Sequence, residues 1–168
     1  TDNFWPQPDG SFVADTQFKT LRQDVDQSYI LTYPGSGIWR FRALGSATAP
    51  GQLASIVDRN GNTMLFGYDV SGRLSGITDT LGRQYTIAYN ADGRIASLTD
   101  FTGRQVTYAY YGAGEPGGSP GDLRSVTTPA ITGTPTGNDF PSGRTTFYTY
   151  SSGFADERLN HNLLSVRD

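Results

Sequence analysis

The chain has 168 residues, 17% charged, 36% apolar and 12% aromatic, with 21 glycines, 10 tyrosines, no cysteine and a formal net charge of −3. That length allows one domain with a core, and the aromatic content argues against disorder. No basic run suggests a nucleic-acid partner, and no apolar stretch approaches the ~18 residues a membrane helix needs.

Absence of cysteine leaves the compartment open, because a β-repeat array does not need disulfides. The chain starts without Met and ends inside a repeating pattern, so it reads as a piece of a longer protein, with any export signal outside it. Many Gly, Thr, Tyr and Ser with little charge suit short strands joined by tight turns.

Residues 1–50 carry strand-like pieces, Tyr29-Ile30-Leu31-Thr32-Tyr33 and Ile38-Trp39-Arg40-Phe41. Turn signals stand at Pro8-Asp9-Gly10 and Pro34-Gly35-Ser36-Gly37. We read this segment as degenerate repeats or a lead-in to the same sheet.

From residue 51 the chain keeps a period of 21. The step links Gly51, Gly72 and Gly93, then Gly61, Gly82 and Gly103, then Asp58, Asp79 and Asp100. It also links Leu53, Leu74 and Ile95, then Ile56, Ile77 and Leu98, then Tyr68, Tyr89 and Tyr110. Repeats fall near 51–71, 72–92, 93–120 and 121–160, with a partial one at 161–168, all in one continuous structural domain. The fourth is stretched: Leu123, Val126, Gly143-Arg144 and Tyr150 hold the pattern around two Gly/Pro/Thr-rich inserts. Those inserts, 112–121 and 129–141, read as protruding loops.

Each repeat reads as two strands. Tyr85, Ile87 and Tyr89 alternate with Thr86 and Ala88, as do Val106, Tyr108 and Tyr110 with their neighbours, the period of a strand with one apolar face. Asp58, Asp79 and Asp100 each open an Asp-x-x-Gly turn closed by Gly61, Gly82 and Gly103. A second turn, at Asp69-Val70-Ser71-Gly72 and Asn90-Ala91-Asp92-Gly93, joins one repeat to the next. The expected fold is all-β: antiparallel hairpins stacked into a curved sheet, with Tyr68, Tyr89, Tyr110 and Tyr150 in an aromatic ladder.

Residues 68–83 read Tyr-Asp-x-x-Gly-Arg-Leu-x-x-Ile-x-Asp-x-x-Gly-Arg, and 89–104 repeat it with Asn90 for Asp and Ile95 for Leu. This resembles the YD repeat of the RHS family, over about 51–111 and again at 121–126, 143–150 and 163–168. Only Tyr68-Asp69 keeps the literal pair; Asn90, Tyr111 and Ser151 stand in for the Asp elsewhere. The resemblance implies a strand-turn-strand ribbon wound into a β-spiral shell or solenoid. Bacterial relatives enclose a C-terminal toxin in such shells, insecticidal toxin complexes use a similar cocoon, and wall-associated proteins and teneurins carry YD shells on the cell surface. The family's C-terminal autoproteolytic segment is not in these residues.

His161, the single histidine, lies in a polar run without a Gly-x-Ser-x-Gly elbow, and we expect a solvated loop residue and no catalytic role. The aspartate series could line up as a Ca²⁺ ladder, but turn formation already employs it and too few oxygen donors accompany it, so no metal or cofactor is expected. The arginines after the turn glycines (Arg73, Arg83, Arg94, Arg104, Arg144) could read acidic groups; the simpler reading is a charged edge paired with the turn aspartates. Trp5, Trp39 and Phe154 are the exposed aromatics that the repeat pattern does not place and the candidates for a ligand, a sugar by stacking. The functional expectation is a non-catalytic segment of a secreted or surface shell, bacterial by resemblance. Its partner is then the rest of the same polypeptide. The alternative is a module binding cell-surface glycan or protein, with neither nucleic acid nor membrane insertion involved.

Overall fold

The computed structural model describes residues 3–14 and 18–168. Its Cα packing divides into two compact bodies, residues 1–86 and 87–168. The protein is all-β, with strand order in the sheet following chain order from first to last.

The first body holds β1 (Phe4–Pro6), β2 (Phe12–Ala14), β3 (Thr20–Gln23), β4 (Tyr29–Tyr33), β5 (Gly37–Phe41), β6 (Leu53–Val57), β7 (Thr63–Tyr68), β8 (Leu74–Thr78) and the start of β9 (Gln84–Tyr89). Residues 1–50 thus supply β1–β5, paired antiparallel in sequence. They close their turns as the later repeats do: the Gln7 N–H bonds the Ser11 carbonyl and the Asp24 N–H that of Ser28.

The second body completes β9 and adds β10 (Ile95–Thr99), β11 (Gln105–Tyr110), β12 (Leu123–Thr127), β13 (Thr145–Tyr150) and β14 (Leu163–Arg167). A single 3-10 turn, Glu157–Leu159, interrupts the loop before β14.

Alternation sets the faces. Along β9 the exposed residues Gln84, Thr86 and Ala88 interleave with half-buried Tyr85, Ile87 and Tyr89. Full burial is rare: among described apolar residues it reaches only Ala14, Ile30, Ala49 and Tyr111. The rest of the apolar face stays half-covered, so the strands hold together chiefly through backbone ladders and cross-strand pairs such as Ile56–Met64 and Phe66–Ile77.

Register shifts recur at one place. They fall between Arg40 and Phe41, Gly67 and Tyr68, Ala109 and Tyr110, and Thr149 and Tyr150. Each leaves an extra residue on the facing strand: Ala54, Ser75, Arg124 and Leu164 respectively. Such bulges add local twist at the strand end.

The first of the two inserts does not protrude freely. The segment 112–121 folds back over Tyr111: the Tyr150 N–H bonds the Gly117 carbonyl, and Gly118 lies against the Tyr111 ring. Residues 129–141 are organised by Asp139, whose carboxylate accepts the Gly133 and Thr134 N–H groups and the Thr134 hydroxyl.

Candidate functional site

Three kinds of constellation recur or stand out: turn clamps, tyrosine staples and one polar cleft. In the turn clamp, Asp79 Oδ1 accepts the backbone N–H groups of Leu81 and Arg83, while Oδ2 takes the Arg83 side chain at 2.6 Å. Asp100 does the same with Thr102 and Arg104, and Asp69 with Ser71 and Arg73. Asp58 binds Asn60 and Asn62, with the Asn62 amide where the others have arginine. Gly61, Gly72, Gly82, Gly93 and Gly103 all take left-handed φ, and the Gly82 N–H returns to the Asp79 carbonyl. A turn closed by a left-handed glycine joins two strands without splaying them.

The electrostatics follow from that geometry. The Asn62 amide is the largest cause holding Asp58 below its usual carboxylate range, and the Arg73 backbone N–H has that place at Asp69. Burial pushes Asp79 upward, but the Arg83 hydrogen bonds outweigh it and leave the carboxyl lowered. Asp100 is lowered strongly, with the Thr102 hydroxyl as first cause.

The staple uses the ladder tyrosines. The Tyr68 hydroxyl donates to the Leu53 carbonyl at 2.7 Å, while the Tyr68 backbone faces Leu74 across the bulge. Tyr110 bonds the Ile95 carbonyl at 2.8 Å and faces Leu123. One residue, through its side chain and its backbone, therefore ties the first strand of its own repeat to the first strand of the next. Burial raises both hydroxyl pKa values. Tyr89 is half-buried at the end of β9, and Tyr150 instead meets Tyr111 edge-on at 6.5 Å.

The cleft belongs to the stretched repeat. Ser119, Phe154, Glu157, Asn160 and His161 line a space of about 590 Å³. Buried Asn160 holds the wall: its Oδ1 accepts the Phe154 N–H, and its Nδ2 donates to the Phe154 carbonyl and to Glu157 Oε2. His161 has φ 63, and its Nδ1 lies 2.7 Å from Asp122 Oδ1. His161 is thus anchored to a partner 39 residues away while its side chain stays 52% exposed. Asp122 Oδ2 accepts the Ser119 N–H.

Of Trp5, Trp39 and Phe154, only Phe154 lines this cleft, and the residue is 50% exposed. Trp39 packs on Tyr33 at 5.3 Å, and Trp5 stands on β1, 60% exposed. Among the described residues, no group of three or more His, Cys, Asp or Glu side chains could hold a metal ion. No helix among them is long and apolar enough to cross a membrane.

Sequence reasoning passed over Asp122, Thr128 and Asn160, and read Tyr111 only as a stand-in for the repeat's Asp. Asp122 had a signal, since it occupies the place of Arg73 and Arg94 after a turn glycine. Thr128 stands where the regular repeats have Asp58, Asp79 and Asp100: its N–H bonds the Arg144 carbonyl and its Oγ1 accepts the Arg144 N–H. Asn160 offered no periodic cue.

Comparison with known families places residues 51–84 on the model of the RHS repeat. No curated protein matches the chain. That stretch is therefore similar to an RHS repeat, and the match does not extend to the rest of the chain.

Proposed function

Taking the chain as a structural repeat module of RHS type, we propose that it is a section of a non-catalytic wall. In this reading the wall encloses or displays another part of one large secreted or surface protein, a toxin being the typical cargo. The observation that carries it is the pairing of strands in chain order with a sheet that, among the described residues, buries few apolar side chains fully. The apolar residues are spread along strands that stay half-covered, and little is invested in a closed interior of its own. A repeat sheet of this kind gains by being extended and by having another surface laid against it.

The turn clamps and tyrosine staples serve that task. They fix each hairpin to the next through local hydrogen bonds, so stiffness does not depend on a central core. Enclosure then works by excluding macromolecules, and no residue has to perform chemistry.

The test uses the full parent protein. A protease site is inserted at Arg59-Asn60, in an exposed turn, and the protein is probed before and after cleavage there. Protection of the remaining segments from a second protease is expected only while the wall is intact. Equal susceptibility in both states would remove the enclosure reading.

A further inference from the structure

The turn before β12 inverts the charge that the regular repeats keep. Gly72 and Gly93 are each followed by an arginine, Arg73 and Arg94, whereas Gly121 is followed by Asp122. That carboxylate meets the single histidine of the chain, which stands in the corresponding loop of the next hairpin. His161 Nδ1 lies 2.7 Å from Asp122 Oδ1.

Each partner is held in place apart from the other. The Asp122 side chain is only 11% exposed. Its Oδ2 takes the Ser119 N–H, and the Asp122 N–H returns to the Ser119 carbonyl. His161 rests its N–H on the Ser151 carbonyl, and the Ser151 hydroxyl is fixed by the Leu159 carbonyl and the Asn162 N–H. The φ of 63 at His161 is a conformation that a non-glycine residue adopts only when the surroundings enforce it. The contact therefore joins two preformed pieces, the segment 112–122 and the loop 151–162. Beside it the Tyr150 N–H bonds the Gly117 carbonyl at 2.7 Å, and Gly118 lies on the Tyr111 ring. The histidine contact and the seating of the insert on Tyr111 thus form one joint.

The other charged groups around the pair are largely matched among themselves. Asp156 and Arg158 meet at 2.7 Å, and Glu115 and Arg124 at 3.3 Å. From the preceding hairpin the Arg94 guanidinium lies against Gly121 and pairs with Asp92 at 3.5 Å. Glu157 stands at the same cleft as His161. β13 contributes Tyr148 and Tyr150; burial first, and then the Asp122 carboxylate, raise the Tyr150 hydroxyl above its ordinary value. Histidine is the side chain whose charge ordinarily changes between about pH 5 and 8. Protonation adds a positive charge to a ring already bonded to a carboxylate, and a charge-assisted hydrogen bond is roughly twice as strong as a neutral one. We propose that His161 and Asp122 form a pH-sensitive latch, which seats the segment 112–122 more firmly in mild acid and loosens it as the pH rises toward about 8. The latch goes beyond the wall reading: a wall without it would still enclose, and a latch without enclosure would still respond to pH.

The test is amide hydrogen exchange of the 168-residue chain at about pH 5.5 and about pH 8, read as protection factors so that the intrinsic pH dependence of exchange is removed. Protection of the Tyr150 N–H should be about fivefold higher at the lower pH. The Gly82 N–H, which closes a regular aspartate turn, should be protected equally at both. Asp122→Asn should abolish the Tyr150 difference. His161→Asn, which keeps a residue tolerant of positive φ, should abolish it too. Equal protection of Tyr150 at the two pH values would overturn the latch, and so would a difference that persists in either variant. Where a variant unfolds, an NMR pH titration of the wild-type chain decides. The Ser119 amide, bonded to Asp122, should shift in step with the His161 ring protons, and a Ser119 amide indifferent to that step would overturn the proposal.

Discussion

The regular repeat at 51–71 and the stretched repeat at 121–160 solve the same joint with different chemistry. In the regular repeat and its successors a carboxylate closes the hairpin, and an arginine or asparagine four residues on locks its second oxygen. In the stretched repeat Thr128 takes the carboxylate's place, and 15 residues separate it from Arg144. The backbone contacts survive: Thr128 and Arg144 still exchange the pair of bonds that Asp79 and Arg83 make. What is lost is the ion pair, and Arg144 turns instead toward Asp168 at 3.6 Å and the Phe140 ring. The strand ladder thus tolerates long inserts as long as its end residues keep their hydrogen bonds, because closing a longer loop adds only a slowly growing entropy cost.

The largest break in this comparison should come at Tyr111. It is 8% exposed, donates to the Tyr148 carbonyl and carries the folded-back insert on its ring. Tyr111→Ala should cost about 3–5 kcal/mol in urea unfolding. The ladder tyrosines, only half-buried, should cost less on the same substitution. A Tyr111→Ala loss no larger than that of Tyr89→Ala would mean that the insert does not rest on this ring.

A smaller effect separates two glycines of equivalent place. Gly82 has φ 75 with nothing within 4 Å of an added Cβ. Gly143 has φ 73, but a Cβ there would overlap the Thr128 carbonyl oxygen. Gly82→Ala should therefore cost backbone strain alone, about 1–2 kcal/mol. Gly143→Ala adds crowding against backbone of about 1–3 kcal/mol. Equal melting shifts for the two would show that the stretched joint relaxes freely.

The smallest effect per residue is the response to acid. The clamp carboxylates are lowered from their ordinary 3.8 in the folded chain. Their contribution is therefore present above that value and is lost as pH falls below about 4 toward the lowered folded pKa. Amide shifts of Leu81 and Arg83 should follow a titration below 3.8. The Arg144 amide, bonded to a hydroxyl, should show no step of that size. A matching step at Arg144 would contradict the exchange of carboxylate for threonine.

The period of 21 residues and the alternation within it were enough to read the hairpins, because a strand's face and a turn's glycine are set within a few neighbouring residues. The bulges at the ladder tyrosines were hidden, since an extra residue such as Ser75 or Arg124 does not disturb the count between repeats. The protruding character expected of 112–121 failed for a related reason. Glycine-rich composition signals a turn, but not whether the turn meets a ring such as Tyr111 once folded.

Local chemistry written in the chain, then, decided that this protein is a run of antiparallel hairpins with aspartate-closed turns. Only the folded structure decided which distant groups meet: Tyr68 with the Leu53 carbonyl, His161 with Asp122, and Phe154 with Asn160 and Glu157 in one cleft. The physical reason is range. Periodicity reports the forces that act between neighbours along the backbone, while a cleft arises where two inserts of unrelated sequence are brought together by the strands that separate them.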